Sequence, residues 1–272
     1  MDERLKDFPL ATTLLALTSL LVAWLVTGFF PTEESLQAVW WDQDAMRDGD
    51  WWRAVTAIFS HGGILHLAVN LLALVSFGPL VERKIGSLRF IGLYFGAGFS
   101  SLLAHALYRP EIPVVGASGS IFGILGLLMI LSPRLRMTLF FVWETSILTF
   151  GALYAAFVPI LLQLGGVAAF IAHEAHLGGM VFGTIAAFAV DWRKAAQVMP
   201  AAAAVFILLT LLVTSWIRFL LEAGCNLLEL GVFGFLGCVL AGAWADTWFF
   251  IGTIAAIAGT IGAYTYIELK KL

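Results

Sequence analysis

Apolar runs of 18 or more residues recur along this 272-residue chain, and each is long enough to cross a hydrocarbon core of roughly 30 Å as a helix. The runs are uninterrupted and lack the apolar-polar alternation of barrel strands, so the chain is expected to form a helical bundle whose backbone hydrogen bonds close within each segment. Charge content agrees, with 12% of residues charged and 61% hydrophobic, against about a quarter charged in soluble domains. Taking charges, Gly and Pro as boundaries, spans are expected near 9–30, 64–81, 89–108, 116–132, 146–165 and 175–190, with tail spans near 200–220, 227–245 and 248–267. The fold class is thus an all-α polytopic membrane protein: a six-span core over 8–195 and two or three further transmembrane helices, of unassigned role, in 196–272. The first run has no small-residue cleavage signal and reads as a retained anchor. Cys225 and Cys238 show neither metal-ligand spacing nor a disulfide framework. The net charge of −3 gives no reason to expect a nucleic-acid partner.

Orientation follows from Lys and Arg in the short loops. Arg4 and Lys6, then Arg83, Lys84 and Arg89, then Arg134 and Arg136, then Arg193 and Lys194 all fall on one side of the expected topology. The N-terminus is therefore expected to be cytoplasmic. The loop 31–63, acidic and carrying Trp40, Trp41, Trp51 and Trp52, is expected outside, with its tryptophans as interfacial anchors. Three tail spans would put Lys270 and Lys271 outside, and two would fit them better.

In this topology spans two, four and six all begin at the outer face, and each begins with polar or small residues. Span two opens on His66 and Asn70, span four on Gly116-Ala117-Ser118-Gly119, and span six on Ala175-His176. His66 and Asn70 are four apart and share a helix face, with Asn70 about 6 Å deeper. Gly119 with Gly123, and Gly179 with Gly183, are small-xxx-small pairs that let two helix backbones approach closely. Such an approach would bring the Ser118 hydroxyl to the His176 imidazole, the nucleophile and base that acyl transfer requires. Donors for an oxyanion are at hand in His66, Asn70 and the amide of Ser118, which lies at the positive end of a helix. Glu174 is two positions from His176 and points elsewhere on a helix, so a Ser–His dyad is expected rather than a triad.

With these residues in order, the chain resembles the rhomboid family of intramembrane serine proteases. The resemblance covers about residues 8–190 and rests on Trp52-Arg53, His61 and His66 with Asn70, Glu82-Arg83, Gly116-Ala117-Ser118-Gly119, and Ala175-His176 followed by Gly179 and Gly183. It implies a serine-type endopeptidase with a Ser118/His176 dyad and an oxyanion site from His66, Asn70 and the Ser118 amide. His61, Gly116 and Gly119 are accessory candidates. The implied partners are the lipid bilayer and single-pass or multi-pass transmembrane substrates with a helix-weakening stretch, cut near the outer, non-cytoplasmic face. Neither a metal nor a nucleotide nor any other cofactor is implied.

Blander readings stand beside this one. A lone serine near a helix end usually bonds a backbone carbonyl, and the partners of Ser118 are what lift it above that. An ionisable residue in lipid already marks a functional site, which favours His66 and His176. His61 is equally well read as interfacial, His105 and His173 are read as interfacial residues, and Arg53 with Glu82-Arg83 as braces for loops. His173-Glu174 tempts a zinc-protease reading, but that pattern needs histidines four apart, and here they are three apart with Leu177 in the fourth place. The rivals to catalysis are a catalytically silent rhomboid-like protein that binds membrane clients, and a transporter or channel. The latter calls for polar groups through the full bilayer depth and often for internal repeats.

Overall fold

The computed structural model describes residues 8–139, 143–161 and 171–222. The spans expected near 227–245 and 248–267, with Cys225 and Cys238, lie outside the described residues. The chain divides into two compact units, Met1–Gly151 with Val158–Val198 and Ala152–Phe157 with Met199–Leu272. The candidate site belongs wholly to the first.

The chain is a mostly helical integral membrane protein. Leu10–Thr27, Ile64–Ile85, Ser87–Tyr108 and His173–Thr210 are long and apolar enough to cross a membrane, and Ser118–Leu131 and Ile147–Ala156 are shorter apolar helices. We label the helices α1 (Leu10–Val22, running into a π turn at Ala23–Thr27), α2 (Glu33–Gln37), α3 (Gln43–Arg47), α4 (Arg53–Phe59), α5 (Ile64–Ile85), α6 (Ser87–Tyr108), α7 (Ser118–Leu131), α8 (Ile147–Leu161) and α9 (His173–Glu222). Between α7 and α8, β1 (Arg136–Leu139) and β2 (Trp143–Ser146) pair antiparallel, with Arg136 opposite Ser146 and Leu139 opposite Trp143. The purely α-helical expectation is corrected to that extent. Four residues per strand leave too short an alternation to stand out between two long apolar helices.

α5 shows how the bundle sorts its faces. Leu67, Asn70, Leu74, Gly78, Val81 and Ile85 recur at helical spacing and are buried. Leu65, Val69, Leu72, Val75 and Leu80 are equally apolar but exposed, because the solvent on that face is lipid. Gly86, at φ 83°, reverses the chain into α6. Glu82, at the basic C-terminal end of α5, has a definite partner set. Its carboxylate accepts from the backbone N–H of Ala11 and Thr12 (2.8 Å each), from Thr12 Oγ1 (2.7 Å) and from Ser87 Oγ (2.6 Å). The first-turn amides of α1 have no intrahelical acceptors, so this carboxylate both satisfies them and ties α1 to the α5–α6 turn.

The segment between α1 and α5 is built from short capped helices. Thr32 accepts from Ser35 N at 3.2 Å and Asp42 from Ala45 N at 2.6 Å, both N-caps. Arg53 braces this segment as expected, donating to Asp50 at 2.9 Å and to the Gln37 carbonyl. Trp51 and Trp52 are exposed, as anchors would be, but Trp41 is buried against Ala57 and Leu102. Its backbone pairs with Val114, joining the loop to the stretch that leads into α7. Trp41 is therefore corrected from anchor to core. His105 is likewise buried, at 1% exposure, rather than interfacial.

Among the described residues α7 is the most enclosed helix. Every residue from Gly119 to Leu131 except Phe122 is buried. It begins at Ser118, two residues later than the expected span, because Gly116 (φ 130°) and Ala117 form the turn that enters it. α9 is interrupted at Asp191, which leaves helical geometry (φ −151°, ψ 86°) and accepts from Lys194 N at 3.0 Å. The break coincides with the end expected for the sixth span.

Candidate functional site

Ser118 is the first residue of α7, and His176 lies in the first turn of α9. What brings them together is a run of backbone contacts between glycines. A Cβ on Gly179 would strike the Gly119 carbonyl, one on Gly183 the Gly123 carbonyl, and one on Gly126 the Met180 carbonyl. On the opposite side, Gly119 and Gly123 pack against Ser101 and Ala97 of α6. The two helices thus meet without intervening side chains, which small-xxx-small spacing permits.

At the head of this contact, Ser118 Oγ lies 2.7 Å from His176 Nε2. With Nε2 accepting from the hydroxyl, the ring keeps its proton on Nδ1. Phe122, one turn below Ser118, stacks on the imidazole with centroids 4.4 Å apart and planes 9° from parallel. Sequence reasoning missed Phe122. The available signal was its position four residues after the serine, on the same helix face.

Gly116 sets the approach to Ser118. Its amide donates to the Ala57 carbonyl at 2.8 Å, and its φ of 130° suits glycine alone. A Cβ there would sit 2.8 Å from His66 Cε1, 2.9 Å from His66 Nε2 and 3.7 Å from Ser118 Oγ. His66 therefore flanks the turn on the side of the serine. Its Nδ1 accepts from the Gly62 amide at 3.3 Å, which leaves the proton of a neutral ring on Nε2, the nitrogen that faces Gly116. Asn70 is buried one turn further along α5, and its Nδ2 donates to the His66 carbonyl at 2.8 Å. The expected residues converge as follows: Ser118, His176, His66 and Gly116 around one point, Gly119 beneath it in the helix contact, and Asn70 one turn from His66. Glu174 is turned to His105, at 2.6 Å. His173 lies edge-on to His176 at 6.2 Å. Among the described residues no group of three or more His, Cys, Asp or Glu is arranged to hold a metal ion.

Comparison with known proteins settles the family. The rhomboid domain model matches residues 48–193, which is more than half of the chain and contains every residue of the site. The chain belongs to the rhomboid family. It is 37% identical over 154 residues to the rhomboid protease GluP of Bacillus subtilis (strain 168), covering 57% of this chain and 29% of that protein. It is 34% identical over 128 residues to the putative rhomboid protease YdcA of the same organism, covering 45% of this chain and 62% of the relative. RHOMBOID-like protein 1 of Arabidopsis thaliana is 33% identical over 138 residues, covering 50% and 34%. The chain thus spans less than two thirds of the length of each of these relatives.

In this rhomboid His61, an accessory candidate by sequence, lies in the loop before α5. It is buried, edge-on to His66 at 5.1 Å, with Nδ1 3.2 Å from the Phe59 carbonyl. Burial first, then the neighbouring His66, push its pKa down from 6.5 to about 3, against a smaller upward pull from that carbonyl. The unfolded chain then binds one proton more than the native protein between those two values. Stability is therefore expected to fall as pH drops below 6.5, by about 1.4 kcal/mol per unit and about 2 kcal/mol by pH 5. Melting temperatures in detergent at about pH 7 and about pH 5 test this. The His61→Gln variant should lose less on acidification than the parent, and equal losses would contradict the assignment.

Proposed function

We propose that this rhomboid is an intramembrane serine endopeptidase that hydrolyses a peptide bond in or near a transmembrane segment of a membrane-protein substrate. The observation that carries the reading is the 2.7 Å approach of Ser118 Oγ to His176 Nε2 at the head of a buried helix pair. In the proposed reaction Ser118 Oγ attacks the scissile carbonyl carbon as its proton passes to His176 Nε2. The oxyanion of the tetrahedral intermediate takes hydrogen bonds from His66 Nε2–H, Asn70 and the Ser118 amide. Collapse breaks the C–N bond, and His176 returns the proton to the leaving amine, leaving an acyl ester on Ser118. Water, deprotonated by His176, attacks that ester and releases the new carboxyl terminus with Ser118 restored. Phe122 supports the imidazole from below throughout.

Helix lengths support a site recessed in the bilayer. α7 has 14 residues, about 21 Å of helix, against about 33 Å for the 22-residue α5 and α6. We take residues 8–195 as the six-span core, with an N-terminus in the cytoplasm and the dyad toward the outer face, a reading supported by the placement of Lys and Arg. For residues 196–272 we keep two or three further spans as part of this proposal, on the apolar runs of the sequence alone.

The test is cleavage of a panel of transmembrane substrates by purified protein in detergent and in liposomes. The parent is expected to cut at least one. His66→Ala and Asn70→Ala are each expected to lower kcat about 10²- to 10³-fold with the protein still folded, as loss of one oxyanion donor does. A parent that binds such substrates but never cuts them would instead support a silent client-binding member.

A further inference from the structure

His105, buried on α6, is used by none of the steps above, yet it touches both halves of the dyad's scaffold. Its Nε2 lies 2.6 Å from the Ile112 carbonyl. A carbonyl only accepts, so Nε2 carries a proton. Its Nδ1 lies 2.6 Å from Glu174 Oε1, and both side chains are almost wholly buried. A second proton is held between these two atoms. Arg109 Nε stands 4.0 Å from the other carboxylate oxygen, and Trp41 packs edge-on against the imidazole at 6.0 Å.

The sequence positions of these partners matter. Ile112 and Val114 belong to the stretch that leads into Ser118. Ile112 is held by His105, and Val114 by the backbone of Trp41. Glu174 is in the first turn of α9, two residues before His176. The glycine contacts fix how closely the bodies of α7 and α9 approach, but they begin at Gly119 and Gly179 and leave the two helix heads to be set by something else. His105 is bonded to both lead-ins at once.

We propose that His105 and Glu174 form a positioning pair that holds the segment entering Ser118 and the helix head carrying His176 in register, so that Oγ and Nε2 stay within hydrogen-bond distance. The inference rests on the catalytic reading above. The pair acts through the dyad and does not touch substrate.

The experiment compares His105→Leu, Glu174→Leu, Glu174→Gln, His105→Gln and the double leucine variant. The readouts are kcat, KM, labelling rate with a fluorophosphonate probe, and melting temperature in detergent. Each leucine variant is expected to lose about 10- to 100-fold in kcat and in labelling rate, with KM within about twofold, because a misplacement near 1 Å costs on that order. Glu174→Gln should recover to within about fivefold of the parent. Its amide N–H can donate to Nδ1 while Nε2–H still reaches Ile112, so every partner stays satisfied with a neutral ring. The double variant should be no slower than the worse single one, as expected for residues acting as a unit.

Leucine variants with parental kcat would overturn the proposal, as would a glutamine variant at Glu174 that loses as much as the leucine one. If the leucine variants do not fold, His105→Gln decides, since its single carboxamide is too short to bridge both partners. It must fall at least about tenfold below Glu174→Gln, and equal activity in the two overturns the pair. A parent that neither cleaves nor labels removes the catalytic reading itself. An active parent with an unimpaired His105→Leu variant removes only this inference.

Discussion

Ser118→Ala is expected to abolish both turnover and labelling by a fluorophosphonate probe while leaving the melting temperature close to that of the parent. The size of the loss follows from the chemistry. Without Oγ there is no acyl ester, and His176 has nothing to activate except water, so only binding and oxyanion stabilisation remain. In serine hydrolases that deletion lowers kcat by on the order of 10⁴- to 10⁶-fold. The fold should tolerate it, because Ser118 is the first residue of α7 and its side chain bonds His176 rather than a structural partner. His176→Ala should match it within about tenfold, and the double variant should be no worse than either, since the two act as one unit. Equal probe labelling in parent and Ser118→Ala would remove the serine from the reaction.

The second large effect is expected at Gly183. A Cβ there would overlap the Gly123 carbonyl oxygen, and the obstacle is backbone on both sides, not the end of a flexible side chain. Gly183→Val therefore has to separate α7 from α9. Overpacking of this kind costs about 1–3 kcal/mol and often more when nothing can yield. Because separating the helix bodies also carries the head of α9 away from α7, a shift near 1 Å at His176 would lower the rate about 10²-fold. Thermal unfolding in detergent and probe labelling read the two consequences separately. Gly92 supplies the contrast: it lies within α6 with no neighbour where a Cβ would go. Gly92→Ala should leave activity unchanged and raise stability by about 0.5–1 kcal/mol, as replacing a mid-helix glycine does. A Gly183→Val protein as stable and active as Gly92→Ala would show that the backbone contact is not what holds the site.

These two residues also mark what could be read without coordinates. Gly119, Gly123, Gly179 and Gly183 advertise close helix contact through spacing alone, and Ser118 and His176 sit at the heads of those same helices. The proximity of Ser118 to His176 and the helix contact beneath it are therefore written in short-range patterns. Partners distant in sequence are not. Glu174 and His105 are 69 residues apart and meet at 2.6 Å, and no local pattern signals that. His105 and Trp41 lie near helix or loop ends, where a sequence looks the same whether the side chain faces headgroups or another helix. Both were expected at the interface, and both are buried. Glu82 was expected to brace a loop and does hold the α5–α6 turn through Ser87, but its bonds to two amides and a hydroxyl 70 and 71 residues away carry no local signal. The paired strands β1 and β2 after α7 leave no clear mark in the sequence, because four residues per strand carry too little alternation.

The enclosure of α7 has one more consequence. A helix bathed in lipid adjusts its tilt to the thickness of the surrounding hydrocarbon, because apolar length and bilayer thickness have to match. α7 has almost no surface to match, since all its residues but Ser118 and Phe122 are covered by protein. Its level is referenced to the close backbone contacts with α9 and not to acyl chains. Host membranes of different thickness can therefore tilt or strain the outer helices while Ser118 keeps its place relative to His176.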